Sequence, residues 1–331
     1  MKSTYRTGFG FAGYLFIGTS AVLIPLTMPF ITDEYMETGL ALAAIGLIFP
    51  ARSIGSILGN MLSGITSDLM GRWRVVWLSA FFIALALVLT ALAKMWLLFI
   101  LGFVFVSVAQ GSLATGINAM IADDHREDRA RALNVLHGIY GAGAAISPLI
   151  IGFLLNEGMH WRWALAGTGL IWLGYGLLAM LVTRSSGSPQ HEVSSAKLDL
   201  SMLRQRPFLA LFLIAFFYNA IAFSLLGWIA LFLRQSTDAS TLVSVLTISL
   251  FYVALTSGRF ICAAYTERLG YARTLLILAV GVVVTYPLVL MGINILVVSG
   301  VFLVGLSLFI VGGWAAWASY QSAPTVLGAL R

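Results

Sequence analysis

Long apolar segments recur along the chain and are separated by short polar connections. A helix of about 20 apolar residues crosses the roughly 30 Å hydrocarbon core of a bilayer. The pattern predicts ten membrane-spanning helices, at residues 8–31, 40–65, 74–93, 96–122, 130–156, 161–183, 207–233, 241–265, 273–293 and 295–317. The expected fold class is therefore an all-α polytopic membrane protein.

One polar segment, at residues 184–206, interrupts this pattern. It is rich in Ser and contains Pro189, a composition typical of a linker rather than of a spanning helix. The segment divides the chain into a six-helix bundle at 1–183 and a partial C-terminal bundle at 207–331, with four predicted helices and a short tail.

Composition supports a membrane environment and excludes several other classes. Hydrophobic residues make up 60% of the chain and charged residues only 10%, whereas soluble domains carry roughly 25% charged residues. The first apolar run is too long for a signal peptide, so we expect it to remain as a spanning helix. The single cysteine, Cys262, excludes a disulfide framework or a cysteine metal site, and no cofactor is expected.

The basic residues predict an orientation in the membrane. If the N-terminus is cytoplasmic, only Lys94, Arg162 and Arg234 fall in outer loops, and the other loop cations fall on the cytoplasmic side. This asymmetry follows the positive-inside rule, and it accounts for the net charge of +6 without a nucleic-acid partner. We expect a multi-pass plasma-membrane protein whose N-terminus and central linker are cytoplasmic.

A charged motif follows the second predicted helix. Residues 64–74 read GITSDLMGRWR, and a shift of about 199 residues aligns a weaker copy that contains Glu267 and Arg268. This motif resembles the Gly-x-x-x-Asp-x-x-Gly-Arg-x-Arg loop signature of the major facilitator superfamily. The resemblance implies a transporter built from two duplicated bundles, which works by alternating access around a midplane site.

The same motif predicts a cytoplasmic latch. Gly64 and Gly71 would allow a tight turn and close helix contact, and Asp68 would pair with cations or cap a helix N-terminus. The alternative is that Arg72 and Arg74 only anchor the topology. The predicted gating residues are Gly64, Asp68, Gly71, Arg72, Arg74, Glu267 and Arg268.

The fifth predicted helix, RARALNVLHGIYGAG followed by Ser147 and Pro148, is similar to the branch of fucose permeases and other sugar or metabolite carriers. Many drug exporters of the family have Gly-Pro where this chain has Ser147-Pro148, so efflux is not favoured. Many proton-coupled members have Arg where this chain has Ser107. Since no Asp or Glu lies inside a predicted helix, uniport, sodium coupling or a relay through His137 remain open.

Polar residues inside the predicted helices are the candidate substrate ligands, because polar groups in a bilayer are costly. Arg52 lies midway along the second helix, where it would bind an anionic or hydroxylated substrate or only backbone carbonyls. Gln110 and Asn118 share one face of the fourth helix at i, i+8 spacing. The resemblance implies that helices one, four, seven and ten line the cavity, so this face would contact the substrate or serve interhelical packing.

Further candidates are His137 on the fifth helix and three residues of the seventh. His137 would be either a packing residue or a proton carrier. Tyr218, Asn219 and Trp228 would offer an aromatic platform beside an amide for a sugar ring, although Trp228 would equally serve packing or an interface anchor.

The leading hypothesis is a secondary active or facilitative transporter of a small polar organic solute, with the lipid bilayer as its other partner. The family normally has twelve helices and ten are predicted here, so a truncated, non-transporting remnant is one alternative. A multidrug or metabolite exporter is another. An enzyme is not expected, because the four histidines (His125, His137, His160 and His191) are scattered.

Overall fold

The computed structural model describes residues 3–125, 129–184, 206–237, 239–269 and 271–306. These residues form twelve helices. They are α1 (Ser3–Ala21), α2 (Leu23–Glu37), α3 (Leu42–Gly46), α4 (Ile48–Met70), α5 (Arg72–Leu92), α6 (Trp96–Asp124), α7 (Arg129–Asn156), α8 (Trp161–Arg184), α9 (Arg206–Ser236), α10 (Thr241–Leu269), α11 (Tyr271–Leu290) and α12 (Asn294–Leu306).

Within the described ranges, eight segments are long and apolar enough to cross a membrane. Two further apolar helical segments, Leu276–Leu290 and Asn294–Leu306, are shorter. The helices fall where the apolar pattern places them, which confirms the all-α polytopic fold class. Of the tenth predicted span, residues 307–317 lie outside the described residues.

The first two spans are each broken in two, at a position that a proline explains. Pro25 has no N–H to donate to the carbonyl of Ala21, the last residue of α1. Pro50 stands in the same relation to Gly46, the last residue of α3. Each proline lies in the first turn of the following helix, where a missing N–H is tolerated. The first span is therefore α1 with α2, and the second is α3 with α4.

The chain divides into two compact units, Met1–Val193 and Ser194–Arg331. In the first unit α4 packs along α6, α5 packs against both α6 and α8, and α1 packs along α7. In the second unit α10 packs against α9 and α11, and Gly305 of α12 lies against Phe251 of α10. The boundary falls inside the predicted linker, of which residues 185–205 lie outside the described part.

Small residues allow α4 and α6 to approach each other closely. A Cβ atom on Gly59 would collide with the backbone carbonyl oxygen of Val108. Beside this contact Ser112 Oγ donates a hydrogen bond to the Gly59 carbonyl (2.8 Å), and Ser63 Oγ donates to the Ser112 carbonyl (2.9 Å). Gly, Ser and short interhelical hydrogen bonds are the usual means of helix association in lipid. The same principle applies to α1 and α7, where Gly143 lies against the Leu15 carbonyl.

An ion pair joins the C-terminal ends of α2 and α5 to the N-terminal end of α8. Arg162 Nη2 contacts Glu34 Oε1 at 2.6 Å, and Arg162 Nη1 donates to the carbonyls of Ala91 (2.9 Å) and Ala93 (2.7 Å). Trp161 Nε1 donates to the second Glu34 oxygen at 3.0 Å. The guanidinium thus satisfies the carbonyls at the α5 C-terminus while it neutralises the carboxylate.

Candidate substrate site and cytoplasmic ion-pair cluster

A polar site within the first unit brings together residues of α1, α6 and α7. The Tyr14 hydroxyl donates to the Ala114 carbonyl at 3.4 Å, one turn from Gln110 and from Asn118 on α6. The Tyr14 ring meets the exposed imidazole of His137 edge-on, with ring centroids 5.5 Å apart. Two of the predicted ligands, Asn118 and His137, therefore lie beside Tyr14, and Gln110 lies one turn from the Ala114 carbonyl on α6.

Tyr14 itself was not predicted as a site residue. It is a tyrosine in the apolar, Gly-rich part of α1, and such a residue more often packs than binds a ligand. Only its position, 3% exposed against α6 and α7, identifies it.

Two atoms of this site are buried without a hydrogen-bond partner among the described residues. They are Gln110 Nε2 and Asn118 Oδ1. A buried amide atom without a partner costs free energy, so such atoms usually bind water or a ligand. The site therefore offers an amide nitrogen as donor and an amide oxygen as acceptor to a polar molecule.

A second polar group lies where α4 packs along α6. Asn60 Oδ1 accepts a hydrogen bond from Thr115 Oγ1 at 3.0 Å, and Asn60 is exposed. Arg52 lies two turns away on the same face of α4, since i, i+4 and i+8 positions align. Its guanidinium carbon is 5.8 Å from the centroid of the Phe103 ring. Sequence reasoning found Arg52 but missed Asn60 and Thr115, whose pairing spans 55 residues of chain.

The three candidates on α9 do not form one platform. Tyr218 is half-buried and Asn219 is exposed, whereas Trp228 lies nine residues beyond Asn219. Nine helical residues span about 14 Å and two and a half turns, so Asn219 and Trp228 lie on opposite faces. A single sugar ring cannot contact both side chains.

At the predicted cytoplasmic end, the C-terminus of α6 binds two other helices through ion pairs. Arg72, at the start of α5, forms an ion pair with Asp123 and donates to the Ala119 carbonyl at 3.1 Å. Arg6 Nε of α1 lies 3.2 Å from Asp124 Oδ2. Thr7 Oγ1 and His125 Nε2 are hydrogen-bonded at 3.0 Å. Sequence reasoning missed Asp123 and Asp124, because their partners Arg72 and Arg6 are distant in the chain and no local pattern indicates the pairing.

The motif glycines behave differently from each other. Gly71 has a φ of +84° between α4 and α5, a conformation that favours glycine, so the predicted turn is confirmed. Gly64 lies inside α4, and a Cβ atom there would meet no atom of the described residues within 4 Å. Among the described residues the close approach of α4 occurs at Gly59, and the close contact predicted for Gly64 stays a prediction.

The other predicted gating residues are placed only in part. Arg74 is exposed in the first turn of α5. Asp68 lies near the end of α4, and Glu267 and Arg268 lie near the end of α10, but these three side chains lie outside the described residues.

Together the fold and these sites define a polytopic α-helical membrane protein with hydrogen-bonding groups inside its first bundle. The sequence profile of the Major Facilitator Superfamily matches residues 10–329, so the chain belongs to this family.

Individual curated proteins resemble the chain at low sequence identity. The chain is 25% identical over 255 residues to the hexuronate transporter of Bacillus subtilis (strain 168), a match that covers 72% of this chain and 59% of that protein. It is 28% identical over 139 residues to sodium-dependent glucose transporter 1 of Rattus norvegicus, covering 42% of this chain and 28% of that protein. The matches thus span less than two thirds of either relative.

Solved structures share the fold at low sequence identity. A bacterial homolog of the human lysosomal transporter Spinster, in an inward-facing and unoccupied conformation, superposes with a TM-score of 0.75 at 17% identity. That match covers 96% of this chain and 75% of the other. The nucleoside transporter NupG superposes with a TM-score of 0.74 at 14% identity, covering 98% of this chain and 83% of the other.

Proposed function

We propose that this chain is a carrier that moves a small polar organic solute, of the sugar or sugar-acid class, across the plasma membrane by alternating access. Family membership supports the transporter class. The solute class is supported by similarity to proteins named as hexuronate and glucose transporters. We further propose that the N-terminus and the central linker are cytoplasmic, from the distribution of Lys and Arg.

The site around Tyr14 is the proposed substrate site. Sugars present many hydroxyl groups, and neutral amides, hydroxyls and an imidazole can each donate to or accept from such groups. The observation that carries the proposal is the pair of buried amide atoms, Gln110 Nε2 and Asn118 Oδ1, which lack partners among the described residues. A solute hydroxyl can satisfy either atom.

Arg52 has a separate proposed role. A guanidinium binds a carboxylate in a bidentate manner, so Arg52 would select a sugar acid over a neutral sugar. Its place on the same α4 face as Asn60 supports this role. Tyr218, Asn219 and Trp228 remain proposed ligands, with Tyr218 and Asn219 in one subsite and Trp228 in another.

The motif residues are the proposed gate. Gly71 sets the turn, and the Arg72–Asp123 ion pair joins that turn to α6. We propose that Asp68 and Arg74, and in the second unit Glu267 and Arg268, make or break contacts as the cytoplasmic side opens and closes. Gly64 would contribute only flexibility within α4.

The test is uptake of labelled hexoses, hexuronates and nucleosides into proteoliposomes, with and without proton or sodium gradients. Gln110→Leu and Asn118→Leu should each raise KM at least tenfold, because each leaves a solute hydroxyl unsatisfied. Leu170→Ala, on an exposed face of α8, is the matched control and should leave KM unchanged.

The same panel separates the alternatives. Arg52→Gln should reduce hexuronate uptake and spare hexose uptake. Uptake of none of these solutes by folded protein would reject the carrier proposal and favour a non-transporting role. Saturable transport of lipophilic cations alone would favour an exporter.

A further inference from the structure

An apolar groove on the first unit has no role in the proposed transport site. It has a volume of about 440 Å³ and lies between α4, α5 and α6. Its walls are large side chains that are themselves exposed, including Phe82 (62%) and Phe105 (65%). Its floor consists of small residues, namely Ser79, Ala86, Gly102, Ala109 and Ser112.

The groove has the direction and length of a lipid chain. Its α5 lining runs from Val75 to Leu89, which corresponds to about 21 Å along the helix axis. One leaflet of the hydrocarbon core is roughly 15 Å thick, so the groove extends through a full leaflet. Small floor residues between large walls make a channel for one chain rather than a flat surface.

Arg74 lies at the end of the groove that the proposed orientation places on the cytoplasmic side. Arg74 lies four residues before Leu78 and eight before Phe82, both of which line the groove, so the three share one face of α5. Arg74 is exposed, and the proposed orientation places this helix end among the headgroups of the cytoplasmic leaflet. The cytoplasmic leaflet is the one that carries anionic lipids, and each basic residue near it attracts them.

We propose that this groove binds one acidic phospholipid of the cytoplasmic leaflet, with its acyl chain between α4, α5 and α6 and its phosphate on Arg74. The inference rests on the proposed orientation and not on the transport activity. Charge complementarity at one end and an apolar channel along the rest distinguish this site from ordinary annular lipid contact.

The experiment measures lipid position directly. The full chain is placed, one copy per nanodisc, in phosphatidylcholine with a trace of phosphatidylglycerol that carries a photoreactive group in its acyl chain. After illumination, labelled peptides are mapped by mass spectrometry. Labelling should concentrate on the groove segments of α5 and α6, and equally labelled phosphatidylcholine should label them about fivefold less, the factor that corresponds to about 1 kcal/mol per basic residue.

Matched variants separate the two parts of the site. Arg74→Gln should abolish the preference for phosphatidylglycerol, whereas Arg131→Gln, at an exposed arginine in the first turn of α7, should preserve it. Ala109→Phe fills the floor and should remove groove labelling with either lipid. Ile171→Phe, on an exposed position of α8, should not.

The labelling pattern of the wild-type protein can overturn the proposal by itself, so the test does not depend on whether every variant folds. Labelling spread evenly over the exposed apolar faces of α4 to α8 would mean annular lipid only. Groove labelling that is equal for the two lipids would reject the role of Arg74. Groove labelling that is present at one copy per disc but lost at two copies per disc would identify a dimer contact instead. Because no step requires transport, failure here and failure of the carrier proposal are distinguishable.

Discussion

Replacement of a single glycine on α4 tests the helix packing of the first unit. Gly59→Ala adds one methyl group that would overlap the backbone carbonyl oxygen of Val108 on α6. A backbone oxygen cannot rotate away as a flexible side chain can, so α4 and α6 must separate. Gly64→Ala adds the same methyl group five residues along the same helix, where no atom in the described part of the chain lies within 4 Å.

The pair isolates the packing contribution to the free energy of unfolding. Both variants gain the helix propensity of alanine over glycine, about 1 kcal/mol, so this gain cancels in their difference. What remains is the overpacking cost at Gly59, about 1–3 kcal/mol. Separation also lengthens the two serine hydrogen bonds across the contact, each worth about 0.6 kcal/mol in a membrane protein. We therefore expect Gly59→Ala to be about 2–4 kcal/mol less stable than Gly64→Ala.

Equilibrium unfolding in mixed micelles, followed by tryptophan fluorescence, measures this difference. The chain has nine tryptophans, so the signal is strong. Gly64→Ala should match the wild type or exceed it. Equal stabilities for the two variants would refute the close approach of α4 and α6 at Gly59.

Three further predictions concern polar contacts of the first unit. Arg162→Lys should lower the free energy of unfolding by about 1–3 kcal/mol, because one ammonium cannot reach Glu34 and two carbonyls together. An equal loss of unfolding free energy in Arg131→Lys would show that the contacts of Arg162 are irrelevant. Arg72→Gln and Asp123→Asn, measured singly and together, should show a coupling of about 0.5–1 kcal/mol in the free energy of unfolding, since both side chains are roughly 30% exposed. Strictly additive effects would show that the ion pair does not contribute to stability. Tyr14→Phe should lower the free energy of unfolding by no more than about 1 kcal/mol, because the ring still fills its space and the hydroxyl's bond to the Ala114 carbonyl is long. Tyr14→Ala should lower it by about 3–5 kcal/mol, and a Phe variant as unstable as the Ala variant would contradict this.

The sequence by itself determined the spans of this protein and its family. Lipid accepts only backbone whose N–H and C=O groups are satisfied within the segment, so each crossing must be a long apolar helix, and such helices are visible in the sequence. Local signals behaved in the same way: Pro25 and Pro50 mark the breaks in the first two spans, and Gly71 marks the turn before α5. In each case the cause lies within a few residues of the effect.

Only the tertiary structure decided which side chains meet. Tyr14 reaches α6 across 100 residues of chain, and Arg162 reaches Glu34 across 128. In a soluble helix the apolar stripe tells which face is inside, but a helix in lipid is apolar on both its outer and its packed face. Hydropathy therefore located α4, but it did not show that Gly59, rather than Gly64, packs against α6. The facing of the helices depends on the fit of small residues against neighbouring backbone, and that fit exists only once the bundle has formed.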